Sequence, residues 1–394
     1  MSRVVIKIGS STLVNSGGQI DRVFIGRLAA ECAALRDEGW QPVIVTSGAV
    51  AVGLRQMGLG TERPGDMPTL QAAAAVGQVG LIDAYCETFK CFGINVGQVL
   101  LTRATTGVRE SYLHARDTLE RLLELDCVPV INENDTVAVD EIRFGDNDTL
   151  AAMVATAIDA DLVVLLSDIE GLYTADPRAN ADAELLESVG KLSAEIETSA
   201  GGAGTPSGSG GMLTKIAAAR VLMSAGIPMV ICEGGRKGAV TDACHGHSVG
   251  TRFFDEESTG LPGRKSWIAL GGKVCGQVVC DAGAARALRE QGASLLPVGL
   301  TDCTGSFAAG DPVDVLDAEG RLLGRGLAGY DAVTLRAYLG RRGAEEFIHR
   351  DALVVFYALQ TSGIGPHVAI NAPFVKGYVG ADLGRPATPL NPGP

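Results

Sequence analysis

Val128-Pro129-Val130-Ile131-Asn132-Glu133-Asn134-Asp135, followed by Phe144-Gly145-Asp146-Asn147-Asp148, joins an apolar run to a cluster of amides and carboxylates. Its apolar first half reads as the end of a buried strand, and a run of side-chain amides and carboxylates follows directly. In an open α/β sheet, ligands sit in the crevice beyond the carboxyl ends of the strands. Asp135, Asp146 and Asp148 would stand there with Asn132, Asn134 and Asn147. Such a cluster suits a cationic or amine-bearing ligand, or a metal phosphate. A solvated acidic loop is the plainer alternative, because Asn and Asp favour turns for local reasons.

On either side of this stretch, strand and helix patterns alternate. Arg3–Ile8 is a β-branched run read as a buried strand. Lys7 lies inside it, and an unpaired buried charge is costly. Either it projects toward a phosphate or it sits on the exposed face of an edge strand. Asp21 caps a helix carrying Phe24, Leu28, Cys32 and Leu35, which Gly39 ends. Pro42–Thr46 is a second strand, and Ser47-Gly48-Ala49 opens a helix in an anion-binding geometry. An Ala-rich helix over 69–92 carries Gly77, Gly80, Gln71 and Gln78. Asn95–Leu101 is a third strand, Glu110–Leu125 an amphipathic helix, and Leu162–Leu166 a strand ending in Ser167-Asp168. This alternation predicts an α/β domain whose mostly parallel central sheet is covered on both faces.

The segment from Ala200 to Gly211 is nearly all Gly, Ser, Ala, Thr and Pro, which fits a free linker. It ends, however, in Gly208-Ser209-Gly210-Gly211-Met212-Leu213-Thr214-Lys215 and runs into a helix over Ile216–Ser224. Glycines before a helix N-terminus, with a lysine in the first turn, suit a phosphate clamp. A lysine there opposes the helix dipole, and a bound anion would remove that conflict.

The chain has 394 residues, so two domains are expected. Its net charge of −13 argues against broad nonspecific nucleic-acid binding. The nine cysteines are odd in number and lack a CxxC pair, which reads as reduced thiols of a cytoplasmic protein. Cys232, Cys244, His245 and His247 lack the spacing of a zinc knuckle, and no residues are assigned to a protein-held metal. No signal peptide is expected ahead of Val4–Ile8, and no apolar run reaches the roughly 18 residues of a membrane span.

Beyond a charged boundary over Asp255–Lys265 come short runs with turn signals: Val278–Cys280, Ser294–Val298 and Asp311–Val315, with one helix near Ala282–Gln291. They suggest a small β-rich barrel. The expected division is 1–256, a linker over 257–265, a barrel over 266–356, and a poorly ordered tail over 357–394. No GxxxxGK[ST] occurs, the Gly208 loop lacks the third glycine of GxGxxG at the right place, and His349-Arg350-Asp351 lacks the partners of a kinase catalytic loop. What remains is two lysines on phosphate-suited elements beside a carboxylamide cluster. Phosphoryl transfer needs mainly positioning and charge neutralisation. A carboxylate acceptor, with an ordinary pKa of about 4.3, is ionised at pH 7 and needs no general base.

Taken in order, Val-Ile-Lys7-Ile-Gly9-Ser, Val-Thr-Ser47-Gly48-Ala, Val-Ile-Asn132-Glu-Asn-Asp135, Gly-Asp146-Asn147-Asp148, Gly-Leu-Tyr173-Thr-Ala-Asp176-Pro and Gly-Gly211-Met-Leu-Thr-Lys215 closely resemble the glutamate 5-kinase family. The resemblance runs from about residue 3 to 356. It implies a three-layer αβα amino-acid kinase fold followed by a PUA-like β-barrel. It further implies ATP- and Mg²⁺-dependent phosphorylation of the L-glutamate γ-carboxylate, the first step of proline synthesis. On this resemblance Lys7, Lys215 and Asp148 are catalytic, the aspartate orienting the lysines. Ser47, Gly48, Asn132, Asp135, Asp146 and Asn147 would hold glutamate, with Asp135 facing the α-ammonium. Lys7, Gly9, Ser167, Asp168, Tyr173, Asp176, Ser209, Gly210, Gly211, Met212, Leu213, Thr214 and Lys215 would hold ATP. Family members are commonly inhibited by proline and form homo-oligomers of two or four chains. Ser167 and Ser209 stand where the family pattern has threonine, and the tail after Val355 departs from it.

A kinase of the same fold acting on aspartate, N-acetylglutamate or UMP is the neighbouring alternative; Asp135 discriminates, since only an unblocked amine needs a carboxylate partner. A reading of another class is an RNA-binding regulator acting through the barrel and its Arg286, Arg289, Arg321, Arg325, Arg341 and Arg342, against which the net charge stands.

Overall fold

A computed structural model describes residues 1–60, 62–102, 109–137, 147–175, 177, 180, 182–192, 196, 211–255, 268, 274–355, 357–358 and 368–369. The first sheet has eight strands: β1 Ser2–Ile8, β2 Trp40–Val45, β3 Asn95–Leu101, β4 Cys127–Glu133, β5 Leu162–Ser167, β6 Ser188–Val189, β7 Met229–Glu233 and β8 Thr251–Phe253. Their spatial order is β3-β4-β2-β1-β5-β7-β8-β6. All neighbours run parallel except the antiparallel β7–β8 pair.

The apolar runs explain the arrangement. β1, β2, β4 and β5 are buried on both faces, as near-continuous hydrophobic strands of a parallel sheet must be. The side-chain period of two splits them between two cores. Val5, Val45, Ile131, Val163 and Leu165 face one side, and Val4, Ile6, Ile8, Ile44, Val130 and Val164 the other. The helices are α1 Ser10–Leu13, α2 Arg22–Asp37, α3 Ala49–Gln56, α4 Met67–Lys90, α5 Arg109–Glu124, α6 Asn147–Ala157, α7 Met212–Ser224 and α8 Ala239–Cys244. α6 and α7 pack on the Val5 side, while α2, α4 and α8 pack on the Ile6 side. Asp21 caps α2 through the Phe24 amide, as the sequence pattern predicts.

Two glycines set how closely α3 and α4 cross. A Cβ at Gly53 would lie 1.7 Å from the Ala73 carbonyl oxygen, and one at Gly77 would lie 1.9 Å from that of Ala49. Only a residue without a side chain allows this approach. Gly53→Ala is expected to destabilise the protein by about 1–3 kcal/mol by forcing the helix backbones apart. Urea unfolding measures this, and an unchanged midpoint would contradict the packing.

The second sheet has five strands: β9 Gly276–Cys280, β10 Leu300–Gly305, β11 Pro312–Leu316, β12 Leu322–Leu327 and β13 Leu353–Val355, in the order β10-β9-β11-β12-β13. It carries helices α9 Ala282–Gln291 and α10 Ala332–Tyr338, and its own core around Val278, Leu323, Leu335 and Phe347. Ser294–Val298 is not the strand its apolar run suggests. Leu295 makes one antiparallel bridge to Ile348, and Pro297–Gly299 forms a 3-10 turn; Pro297 has no N–H to give a ladder. Strands β14 Tyr357–Ala358 and β15 Val368–Ala369 pair with each other. The expected linker 257–265 and the remainder of the expected tail lie outside the described residues.

Candidate active site

The site is built where the parallel strands end. Lys7 shares its face of β1 with Val5, so the sheet aims it toward α6 and α7. Because β1 lies between β2 and β5, the edge-strand alternative for Lys7 is excluded. Asp148 occupies the first turn of α6, a helix buried along its whole length. Lys215 lies in the first turn of α7, which starts at Met212, a turn earlier than the apolar pattern suggests, with Gly211 as its N-cap.

These three side chains meet. Lys7 Nζ is 2.6 Å from Asp148 Oδ1, and Lys215 Nζ is 3.2 Å from Asp148 Oδ2. The Thr214 hydroxyl donates to Oδ2 over 2.8 Å. Lys7, Lys215 and Asp148 are only 7%, 5% and 1% exposed, so each is held by its partners rather than by water. Burial alone would raise the Asp148 carboxyl. The ammonium groups of Lys7 and Lys215, with the Thr214 hydroxyl, outweigh it and hold the group well below the usual carboxylate range. Two cations share one anion, so the triad carries one net positive charge at the N-terminus of a thirteen-residue helix. Charge and helix dipole at this point both favour an anion.

One residue along α6, the chemistry changes to amides. Asn147 Nδ2 lies 2.5 Å from the Thr46 carbonyl oxygen, 2.9 Å from Ser47 Oγ and 3.0 Å from Asn132 Oδ1. Asn147 thus ties the ends of β2 and β4 to the helix that carries Asp148. Gly48, which follows Ser47, has φ of +93° and caps α3; a side chain there would meet Val14 at 2.7 Å. Asp135 lies just past β4 and, with Gln78, Glu133 and Asn134, lines a cavity of about 320 Å³.

The remaining predicted residues are placed as follows. Gly9 ends β1, its amide donating to the Leu166 carbonyl over 3.0 Å. Ser167 ends the adjacent β5 and donates to Asp168 Oδ1 over 3.1 Å. Tyr173 donates to Glu170 over 2.6 Å and lies beyond that turn. Met212 is half-buried at the start of α7, and Leu213 is exposed. Asp146, Asp176, Ser209 and Gly210 lie outside the described residues.

Sequence reasoning assigned no role to Gln78, whose Oε1 accepts from Asn132 Nδ2 over 2.7 Å. It also missed the buried Thr46–Tyr85 hydroxyl pair at 3.0 Å, which braces the turn after β2. A glutamine inside an Ala- and Gly-rich helix was the available signal for the first; nothing local marks the second. Elsewhere, His245 pairs with Glu38 and His247 with Asp242, while burial raises the Cys232 and Cys244 thiols to about 12. Among the described residues no group of three His, Cys, Asp or Glu is placed to hold a metal ion. Arg289 and Arg321 pair with Asp317, and Arg325 pairs with Asp314, so these arginines of the second sheet are neutralised locally.

Comparison with known proteins agrees with this geometry. Residues 2–233 match the amino acid kinase family and residues 276–349 the PUA domain. The chain is 48% identical to a glutamate 5-kinase of Paramagnetospirillum magneticum over 365 residues, covering 90% of this chain and 97% of the relative. It is 45% identical to glutamate 5-kinases of Geobacter metallireducens and Moorella thermoacetica, again over 90% of the chain and over 98% and 96% of the relatives. With such identity along nearly the full length of these relatives, the chain belongs to the glutamate 5-kinase family, an amino acid kinase domain joined to a PUA domain.

Proposed function

We infer that the chain transfers the γ-phosphoryl group of ATP to the γ-carboxylate of L-glutamate, giving L-glutamyl 5-phosphate and ADP, the first step of proline biosynthesis. The observation that carries this reading is the convergence of Lys7 and Lys215 on Asp148, directly beside the Asn132–Asn147–Ser47 amides. A glutamate carboxylate oxygen attacks the γ-phosphorus as the bond to the ADP oxygen breaks. The acceptor is already ionised at neutral pH, so no proton must be removed. The charge spread over the phosphoryl oxygens is met by the two ammonium groups, and Asp148 keeps both aimed at one point.

Ser47, Gly48, Asn132, Asp146 and Asn147 hold the amino acid, and Asp135 takes its α-ammonium. Gly9, Ser167, Asp168, Tyr173, Asp176 and the segment Ser209–Thr214 hold the nucleotide. Mg²⁺ would accompany the nucleotide and neutralise part of its phosphate charge, and no protein residue is assigned to hold it. Proline acts as a feedback inhibitor at the amino-acid pocket. The protein works in the cytoplasm as a homo-oligomer, a reading supported by exposed Val76, Val79 and Leu100. The two parts of the chain divide within 257–265. No described helix is long and apolar enough to cross a membrane.

The test is hydroxamate formation from glutamate, ATP, Mg²⁺ and hydroxylamine, beside aspartate and N-acetylglutamate. Glutamate is expected to be much the best acceptor; no hydroxamate from glutamate would sink the reading. Asp135→Asn is expected to raise the glutamate KM about tenfold or more and leave the ATP KM nearly unchanged. Equal rises in both would remove Asp135 from the ammonium site.

A further inference from the structure

We propose that Gln78, on α4, is a positioning residue for the amino-acid pocket, acting through Asn132. The inference rests on the glutamate reading above and deepens it.

Hydrogen-bond polarity links the two residues. Asn147 presents its amide nitrogen to Thr46, Ser47 and Asn132, so Asn132 must turn its oxygen toward Asn147. Its nitrogen then points away from Asn147 and needs an acceptor, because Asn132 is only 2% exposed. Gln78 Oε1 supplies that acceptor at 2.7 Å. Without it, Asn132 would either leave a buried donor unpaired or turn over, presenting a nitrogen to the nitrogen of Asn147. One acceptor on a distant helix therefore fixes the orientation of the amides at the ends of β2 and β4.

α4 is placed for this work. Gly77, the preceding residue, lets the helix press against the Ala49 carbonyl, so the turn carrying Gln78 is held at the Ser47–Ala49 turn itself. Gln78 is half-buried and lines the same 320 Å³ cavity as Asp135. A role through Asn132 and a direct contact with the amino acid are thus distinct and testable possibilities.

Steady-state kinetics of Gln78→Met, Gln78→Glu, Asn132→Ala and the double variant Asn132→Ala/Gln78→Met separate them. Gln78→Met keeps the length of the side chain and its helix propensity but removes the acceptor. It is expected to raise the glutamate KM about tenfold and change the ATP KM less than about twofold, with the thermal midpoint lowered by about 2–4 °C. Gln78→Glu, whose carboxylate can accept the same bond, is expected to restore most of the loss. The double variant is expected to match Asn132→Ala, because the two residues act as one unit.

An unchanged glutamate KM in Gln78→Met, equal rises in both KM values, or a double variant whose losses multiply would overturn the proposal. So would a tenfold loss in Gln78→Glu, which decides the matter even if Gln78→Met does not fold. If the wild type phosphorylates a different acid, the substrate reading fails, and the same series with that acceptor still decides the role of Gln78.

Discussion

Lys215→Ala is expected to lower kcat by about a thousandfold while the protein folds normally. The two halves of that expectation have separate causes. Lys215 is 5% exposed and aimed at the same carboxylate as Lys7, so its charge acts where little water competes. Removing it takes away a fixed cation whose benefit grows as negative charge develops on the phosphoryl oxygens, which affects kcat more than KM. Folding survives because Asp148 keeps Lys7 at 2.6 Å and the Thr214 hydroxyl at 2.8 Å. Loss of a cation from a helix N-terminus also relieves an unfavourable dipole term. Product formation together with a thermal melt checks both halves, and a fully active variant would remove this lysine from the mechanism.

Asp148→Asn reverses the pattern, with the larger expected effect on stability. The amide keeps the shape but leaves two nearly buried ammonium groups without their shared counter-charge. Breaking a buried ion pair by neutralising one member costs about 3–5 kcal/mol, readable in urea unfolding. ATP should recover part of the deficit, since its phosphates bring negative charge to the folded state alone.

The pH dependence follows from the direction of the Asp148 shift. The folded carboxyl titrates below its unfolded counterpart, which sits near about 3.9. The stabilisation from Asp148 is therefore complete above that unfolded value and is lost as pH falls toward the folded one. The stability gap between wild type and Asp148→Asn is expected to be flat from about pH 5 to 8 and to narrow below about pH 4. A gap that widens in acid would contradict the assignment of both lysines to this carboxylate.

Much of this arrangement was legible from residue types, and what was not has physical reasons. The β-branched runs, the capping Asp21 and Gly211 before Lys215 are local signals, and the structure follows them. Lys7 could not be placed by its strand alone, since a lysine at that position fits an edge as well as a centre. The register of β1 against both β2 and β5 decided it. Gln78 was visible as an isolated polar residue, but its partner lies 54 positions on, so only the tertiary fold joins them. In the second sheet, Asp302 interrupts β10 and Gly324 interrupts β12, which blurs the alternation expected of a strand. The short α10 falls below the length at which periodicity is informative.

The most direct measurement uses glutamate carrying ¹⁸O in its γ-carboxylate, with ATP, Mg²⁺ and hydroxylamine, and reads the isotope in the phosphate released. If a carboxylate oxygen attacks phosphorus between Lys7 and Lys215, hydroxylamine then attacks the carbonyl carbon and the phosphate leaves with one ¹⁸O atom. That label is expected in phosphate from the wild type, with its near-complete loss in Lys215→Ala. Unlabelled phosphate released by the wild type would mean that water, not the carboxylate, accepts the phosphoryl group, and would rule out phosphoryl transfer to glutamate.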